Sequence, residues 1–435
     1  MTRTVLAAPS ASEVLPAWEG MLYVHTIPDQ SDSQTRFRDS ERPRRRPAGQ
    51  PKHPRGARPA APALDTSTVP AAIPSGTAFV DEATGEISEG YDPTVKWELQ
   101  AYGRKILGHG HRLRICFRHL LPMSAVEIRE RIEGGSRFLG GLQVCGSVWV
   151  CPVCATKIQS ERVREVRSAI EAWEASGGSV LHMVQTFRHT RWDDLASILE
   201  RFNEARRSFR DGRSYQDAKA ALGLSGTITS LEVTWGEVNG WHPHAHGLLF
   251  VAGGVGPADA RRELWPAWRS AAERRGLDVD PRAFRVQGGS SASRYVTKLG
   301  REYRWDSADE LVRSHTKHGR IDSVTPFDLL RAHGADRDDP RWPGLFRDYA
   351  AAFRRRKQLV WSRGLKQQLL GTDGQSDEAV AASLGEPYEV LATLGAADWY
   401  RIRKSGHHGG TVLQVYNLAG EEGLRTWLGT LNAAA

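Results

Sequence analysis

Apolar residues at helical spacing (Ile158, Val163, Val166, Ile170 and Trp173) predict an amphipathic helix over 157–175, stopped by Gly177-Gly178. A strand, Ser179 to Phe187, follows it. An Arg-rich helix then runs from Asp193, its predicted cap, to about Arg210. Thr227 to Trp235 and Trp241 to Val251 read as two strands around a short turn. Pro257 to Arg275 is helical, with Pro257 suited to the first turn. Ser290 to Arg304 predicts another helix, Pro326 to Leu370 is helical in parts, and Val412 to Ala435 is a small terminal unit. Strands and helices never alternate strictly as βαβ, so the pattern predicts an α+β fold with an antiparallel sheet.

Residues 1–90 carry no sustained period and are rich in Pro, Ala, Ser and Arg. Such a stretch buries too little apolar surface to offset its ordering entropy and is predicted to be disordered, with order beginning near Asp92. The tail also changes how the charge is read. The 435 residues have a net charge of +8, but nine Lys and Arg stand against Asp39 and Glu41 between Arg36 and Arg58. The remainder is nearly neutral, so any phosphate-binding surface on it must come from local clustering. No apolar run approaches the ~18 residues of a membrane span. Met1 to Pro16 has no compact apolar segment of a secretory signal, so a cytoplasmic protein is expected.

Four cysteines are too few for a disulfide scaffold. Cys151 and Cys154 form a CxxC knuckle, Cys145 lies six residues before it, and Cys116 completes the set. Four thiolates make the closed tetrahedral shell of structural zinc. His119, at knuckle spacing from Cys116, is a substitute for the fourth ligand, and a redox CxxC pair or buried thiols is the alternative.

His242, His244 and His246 alternate, so on a strand all three share one face. Three imidazoles on one face of an apolar strand each need a partner, and imidazoles at i and i+2 converge on a divalent metal. With a three-residue loop Val238-Asn239-Gly240, and Gly240 in the left-handed position, pairing about Asn239 sets His246 opposite Glu232 and His244 opposite Thr234. Glu232 then reaches the metal side. A two-residue Asn-Gly loop would shift the register by one and turn it away.

The segment GWHPHAHGLLF, with CGSVWVCPVCATKI upstream and SRYVTKLG downstream, resembles the HUH endonucleases, and in wording the replication initiators of actinobacterial rolling-circle plasmids. The resemblance covers about Cys116 to Leu370. It implies a ferredoxin- or RRM-like central antiparallel sheet with flanking helices, carrying a zinc-clip insertion and a helical C-terminal part. It makes His244 and His246 ligands of Mg²⁺ or Mn²⁺, leaves the role of His242 open, and matches Thr186 and His189 loosely to the family's first motif. It makes Tyr295 the nucleophile on a DNA phosphodiester. Lys298, at i+3, is close enough to disperse developing charge. Tyr303 keeps a second-tyrosine variant open, and Ser291 stands where some relatives carry a water-activating Glu, leaving Glu302 as another acid. Plasmid origin DNA, single-stranded at the nick, and a host helicase and polymerase are the implied partners.

Arg201, Arg206, Arg207, Arg210 and Arg213 cluster on one predicted helix, and Arg354, Arg355, Arg356, Lys357 and Arg363 on another. Both are candidates for phosphate contacts, with Trp361 placed to stack on an unpaired base. The expected organisation is a tail over 1–90, a zinc segment over 91–157, a nuclease domain over 158–305, a DNA-binding extension over 306–370 and an unassigned unit over 371–435. Two alternatives stand beside replication initiation: a transposase or relaxase of the same chemistry, and a non-enzymatic zinc-containing DNA-binding regulator.

Overall fold

The computed structural model describes residues 94–288 and 323–433, except 384 and 386, together with three short strands before them. Those strands are β1 (Val5–Leu6), β2 (Ala78–Val80) and β3 (Ile87–Glu89). They interrupt the tail expected to be disordered, and the rest of that tail lies outside the described residues.

The chain continues through α1 (Val95–Leu107), β4 (Val126–Arg131), β5 (Arg137–Gly140), α2 (Pro152–Ala175) and β6 (Ser179–Gln185). Next come α3 (Leu195–Asp211), α4 (Arg213–Ala221), β7 (Gly226–Gly236), β8 (Gly240–Val251), α5 (Pro257–Glu273) and β9 (Phe284–Gln287). After the gap follow β10 (Ser323–Val324), α6 (Pro326–Ala335), α7 (Arg341–Ala352), β11 (Leu359–Trp361), α8 (Leu365–Leu370) and α9 (Asp377–Ala382). The last elements are β12 (Tyr388–Leu394), α10 (Ala396–Lys404) and α11 (Gly409–Ala433), the last bent at Gly420.

The fold is α+β with antiparallel sheets, as the pattern predicts. Local chemistry shifts several boundaries. The long helix α2 begins before residue 157, because the Cys151 sulfur accepts the Cys154 N–H at 3.4 Å and Pro152 fits the first turn. α3 is capped by Asp194, whose Oδ1 accepts the Ser197 N–H at 2.9 Å. The carboxylate of Asp193, the expected cap, is turned to the Thr190 N–H and hydroxyl instead. Within the stretch expected to be helical in parts, β11 is a strand, because it lies along the outer edge of β7.

The main sheet runs β9-β6-β8-β7, with β10 and β11 sharing the outer edge of β7. Its chain order, β6, helix, β7, β8, helix, β9, is that of a split βαβ unit. A smaller sheet, β1-β12-β4-β5, joins the N-terminal residues to the C-terminal part.

Strand alternation gives the main sheet two different faces. Leu181, Met183, Ala245, Leu249 and Val251 pack with Phe202, Phe209 and Trp268 of α3 and α5, which makes this face a largely apolar core. On the other face Val180, Ile228, Leu248 and Phe250 meet Val163, Val166 and Ile170 of α2 and Leu365 of α8. That cover stops partway along the strands. The same face continues into His182, His246, His244, His242 and Glu232, where imidazole and carboxylate replace hydrocarbon.

Candidate metal centres and nucleic-acid interface

β8 carries the three histidines on one face, as alternation requires. The turn differs from the expected one by a single pair. Gly236 faces Gly240, the loop is Glu237-Val238-Asn239, and Gly240 takes the left-handed conformation at φ 70°. Glu232 therefore pairs with His244 instead of His246, and Thr234 with His242. A shift of two in the partner sum preserves the side-chain faces, so Glu232 still reaches the histidine side. Gly240 cannot be replaced cheaply, because a Cβ there would lie 2.8 Å from Arg191 Cα.

Three donors converge here. His244 Nε2 and His246 Nε2 lie 2.8 and 3.0 Å from Glu232 Oε2. Burial alone would push the Glu232 carboxyl up, but the two imidazoles hold it well below the usual carboxylate range. Its other oxygen, Oε1, is buried with no hydrogen-bond partner. A buried carboxylate oxygen without a donor is costly in a sheet core and is what a cation ligand looks like before the cation is counted. Two imidazoles and one carboxylate with open positions therefore fit a divalent transition ion. The same donors serve hydrolases and oxygenases, so they name no reaction by themselves.

A layer behind the ligands was not singled out in the sequence. His182 of β6 is buried, with Nε2 2.9 Å from His246 Nδ1. Its position in β6, on the same face as Val180, was the available signal, and it needed the β6–β8 adjacency to become meaningful. His242 is drawn away from the trio: its Nδ1 is 2.6 Å from His189 Nε2 and its Nε2 is 3.5 Å from Thr186 Oγ1. Burial, then His244 and His189, hold its pKa down at about 4. His189 in turn reaches the Asn239 carbonyl at 3.0 Å, pinning the loop after β6 to the hairpin turn. Thr186 and His189 are thus brought to the site, around His242. A cleft lined by Trp149, Thr234, Thr325 and Tyr349 leads to Glu232 along β7.

The four cysteines form a second, buried cluster. Cys116 lies 3.7 Å from Cys151 and 3.5 Å from Cys154, and Cys145 lies 3.8 Å from Cys154, sulfur to sulfur. All four sulfurs lie within 4.8 Å of one another. A tetrahedron with zinc–sulfur bonds of about 2.3 Å has edges of about 3.8 Å, whereas a disulfide needs about 2.05 Å. The spacing fits a metal ion. Gln100 donates to the Cys151 sulfur at 3.2 Å. His119 is exposed and takes no part, since Cys116 already supplies the fourth ligand.

The arginine clusters divide. α3 lies on the sheet face opposite the histidines. Arg206, on its inner side, is 8% exposed with its guanidinium over Phe202, so packing uses it and phosphate cannot reach it. Arg207 is exposed and Arg210 half-buried, both on that far side. Arg354, Arg355, Arg356 and Lys357 occupy the turn after α7, not a helix. Arg354, Arg355 and Lys357 are exposed, while the Arg356 carbonyl accepts the Trp149 indole N–H at 2.7 Å. This turn adjoins the cysteine segment. Trp361 is half-buried with the Lys366 ammonium over its ring at 5.3 Å, so that face is not open to a base. Tyr295, Lys298, Tyr303, Ser291 and Glu302 lie outside the described residues, as does the helix expected over Ser290 to Arg304. Among the described residues no helix is long and apolar enough to cross a membrane.

The chain is 28% identical over 324 residues, 59% of its length, to "Protein rep" of Streptomyces lividans, of which the match covers 70%. It is 29% identical over 147 residues to "Neomycin resistance protein" of Streptomyces cyanogenus, covering 28% of this chain and 34% of that one. No protein-family signature matches the chain, and no solved structure does. The findings to explain are therefore relatedness to a Rep-named protein, a Glu–His–His group and a buried cysteine cluster.

Proposed function

We propose that this chain is a Rep-like plasmid replication protein of the HUH endonuclease type, which nicks and rejoins one strand at a plasmid origin. The observation that carries the reading is the Glu232–His244–His246 group with its unpartnered carboxylate oxygen, spanning the adjacent strands β7 and β8 of a sheet in split βαβ order. The likeness to "Protein rep" supports DNA nicking over the other reactions such donors serve.

Glu232, His244 and His246 would hold Mn²⁺ or Mg²⁺, and imidazole donors favour Mn²⁺ of the two. When bound, the ion polarises the scissile phosphate. His182 orients His246, and α2 and α8 close the neighbouring end of the face to water. Tyr295 supplies the attacking phenolic oxygen: a P–O(Tyr) bond forms, the P–O3′ bond breaks, the phenol gives up its proton and the leaving 3′ oxygen takes one up. Lys298 disperses charge as it develops. An ester replaces an ester, so the strand can later be resealed. β9 ends at Gln287, in register with His182, so Tyr295 is only eight residues from the ligand layer, which supports its role. The cysteines would hold structural zinc. The free 3′-OH would prime a host polymerase, with a host helicase opening the duplex.

The test is incubation of the full chain with single-stranded origin oligonucleotides and Mn²⁺. A covalent protein–DNA adduct is expected, mapping to Tyr295, lost in Tyr295→Phe and kept in Tyr303→Phe. A chain that binds origin DNA but never forms an adduct would be a regulator instead.

A further inference from the structure

The segment between α1 and β4 brings Arg118 against Arg403 of α10, 285 residues away in sequence, and the charges of Arg403, Arg114 and Arg118 all act on His119. The contact is built, not incidental. The Arg118 carbonyl accepts Arg403 Nη1 at 2.7 Å and the Trp399 indole N–H at 3.1 Å. Two neighbours are paired, Arg112 with Glu378 at 3.6 Å and Arg401 with Asp398, while Arg104 adds a further positive charge, bonded to the Gln100 side chain and the Cys116 carbonyl. Among the described residues no carboxylate pairs with Arg114, Arg118 or Arg403. Burial, then the charges of Arg403, Arg114 and Arg118, depress the His119 pKa, so all three guanidinium groups bear on that imidazole. Holding like charges together costs free energy unless an anion completes the arrangement.

We infer that Arg114, Arg118 and Arg403 form a phosphate-binding surface for the backbone of duplex DNA, assembled jointly by the cysteine-clip segment and the C-terminal unit. The surface offers guanidinium groups, with Tyr400, 62% exposed, as the large exposed aromatic near Arg403 among the described residues. Single-strand sites combine charge with several stacking rings. A patch of guanidinium groups reads backbone and not bases, which suits the duplex flanking a nick. The cysteine cluster gains a purpose from this: Cys116 lies two residues before Arg118 and fixes the loop that presents it. The C-terminal unit becomes the second half of a clamp.

The inference rests on the reading of the chain as DNA-acting, but its test fails separately. The full chain would be titrated with a duplex origin fragment across a salt series, comparing the parent with Arg114→Gln, Arg403→Gln and the charge reversal Arg114→Glu. Each lost guanidinium should lower the slope of log K against log salt by about 0.9 and weaken duplex binding several-fold near physiological salt. Arg114→Glu should do more. Adduct formation on a short single-stranded oligonucleotide should be unchanged, and zinc content and thermal midpoint should match the parent. Arg114 is exposed, so its variants keep the test informative if Arg403→Gln disturbs the fold. An unchanged slope would make the cluster a solvated face and overturn the inference. Equal losses on short single strands and on duplex would overturn it too. A lowered slope in a chain that never forms an adduct would sink the nicking reading and leave this surface standing.

Discussion

His182 and His246 stack with ring centroids 5.1 Å apart and planes 9° from parallel, and His182 Nε2 lies 2.9 Å from His246 Nδ1. A histidine that binds a metal through Nε2 must carry its proton on Nδ1, and a partner on that nitrogen fixes the tautomer. His182 is therefore a positioning residue. His182→Ala should weaken Mn²⁺ binding about 10- to 100-fold, the range for lost partners behind a ligand. His182→Gln, whose amide oxygen can accept the same proton, should recover part of it. Titration followed by Mn²⁺ paramagnetic resonance reads this directly, and equal affinity in all three proteins would remove the role.

The ligand trio predicts an asymmetry among the histidines. His244→Ala and Glu232→Ala should each abolish measurable Mn²⁺ binding and adduct formation, while duplex affinity changes little. His242→Ala should keep Mn²⁺ affinity within about threefold, because its ring, unlike that of His182, hydrogen-bonds to no ligand imidazole. Its ring nitrogens face His189 and Thr186. Calorimetric Mn²⁺ titration of the three variants decides between this arrangement and one in which His242 is a ligand.

Acid should destabilise the metal-free protein. The His242 pKa is about 4 in the folded chain, against about 6.5 when unfolded, so the unfolded state binds more protons between those values. Stability is then lost as pH falls from about 6.5 towards 4. The depressed Glu232 carboxyl acts in the same direction below the ordinary carboxylate range. His111, His189 and His407, also held down by burial, add to the loss. Urea midpoints in EDTA between pH 7.5 and 4 should fall, and His242→Gln should fall less steeply. A parallel decline would show that the His242 pKa does not differ between the folded and unfolded states.

The cysteine cluster should hold one zinc per chain. Cys151→Ser should release it and cost about 4 kcal/mol or more, the range in which loss of a structural metal falls. Elemental analysis and denaturant melts measure both, and a parent protein purified without zinc would contradict the assignment.

How much of this was legible in sequence depends on the range of the interaction. Alternation at His242, His244 and His246 fixed their common face, because side-chain direction in a strand has period two whatever surrounds it. The Cys151–Cys154 knuckle likewise needs only a local turn. The partner of each histidine was not local. Whether Glu232 met His246 or His244 turned on one pair of ladder positions, set where Gly236 and Gly240 face each other. There Arg191 crowds Gly240 and β10 holds the outer edge of β7 at Trp235 and Gly236. The choice of Cys116 over His119 depended on which side chain the folded loop buried. His182 waited on β6 lying next to β8, and Arg206 was lost to the core because Phe202 lies beneath it. Local stereochemistry decides which way a side chain points, and only the packed chain decides what it meets.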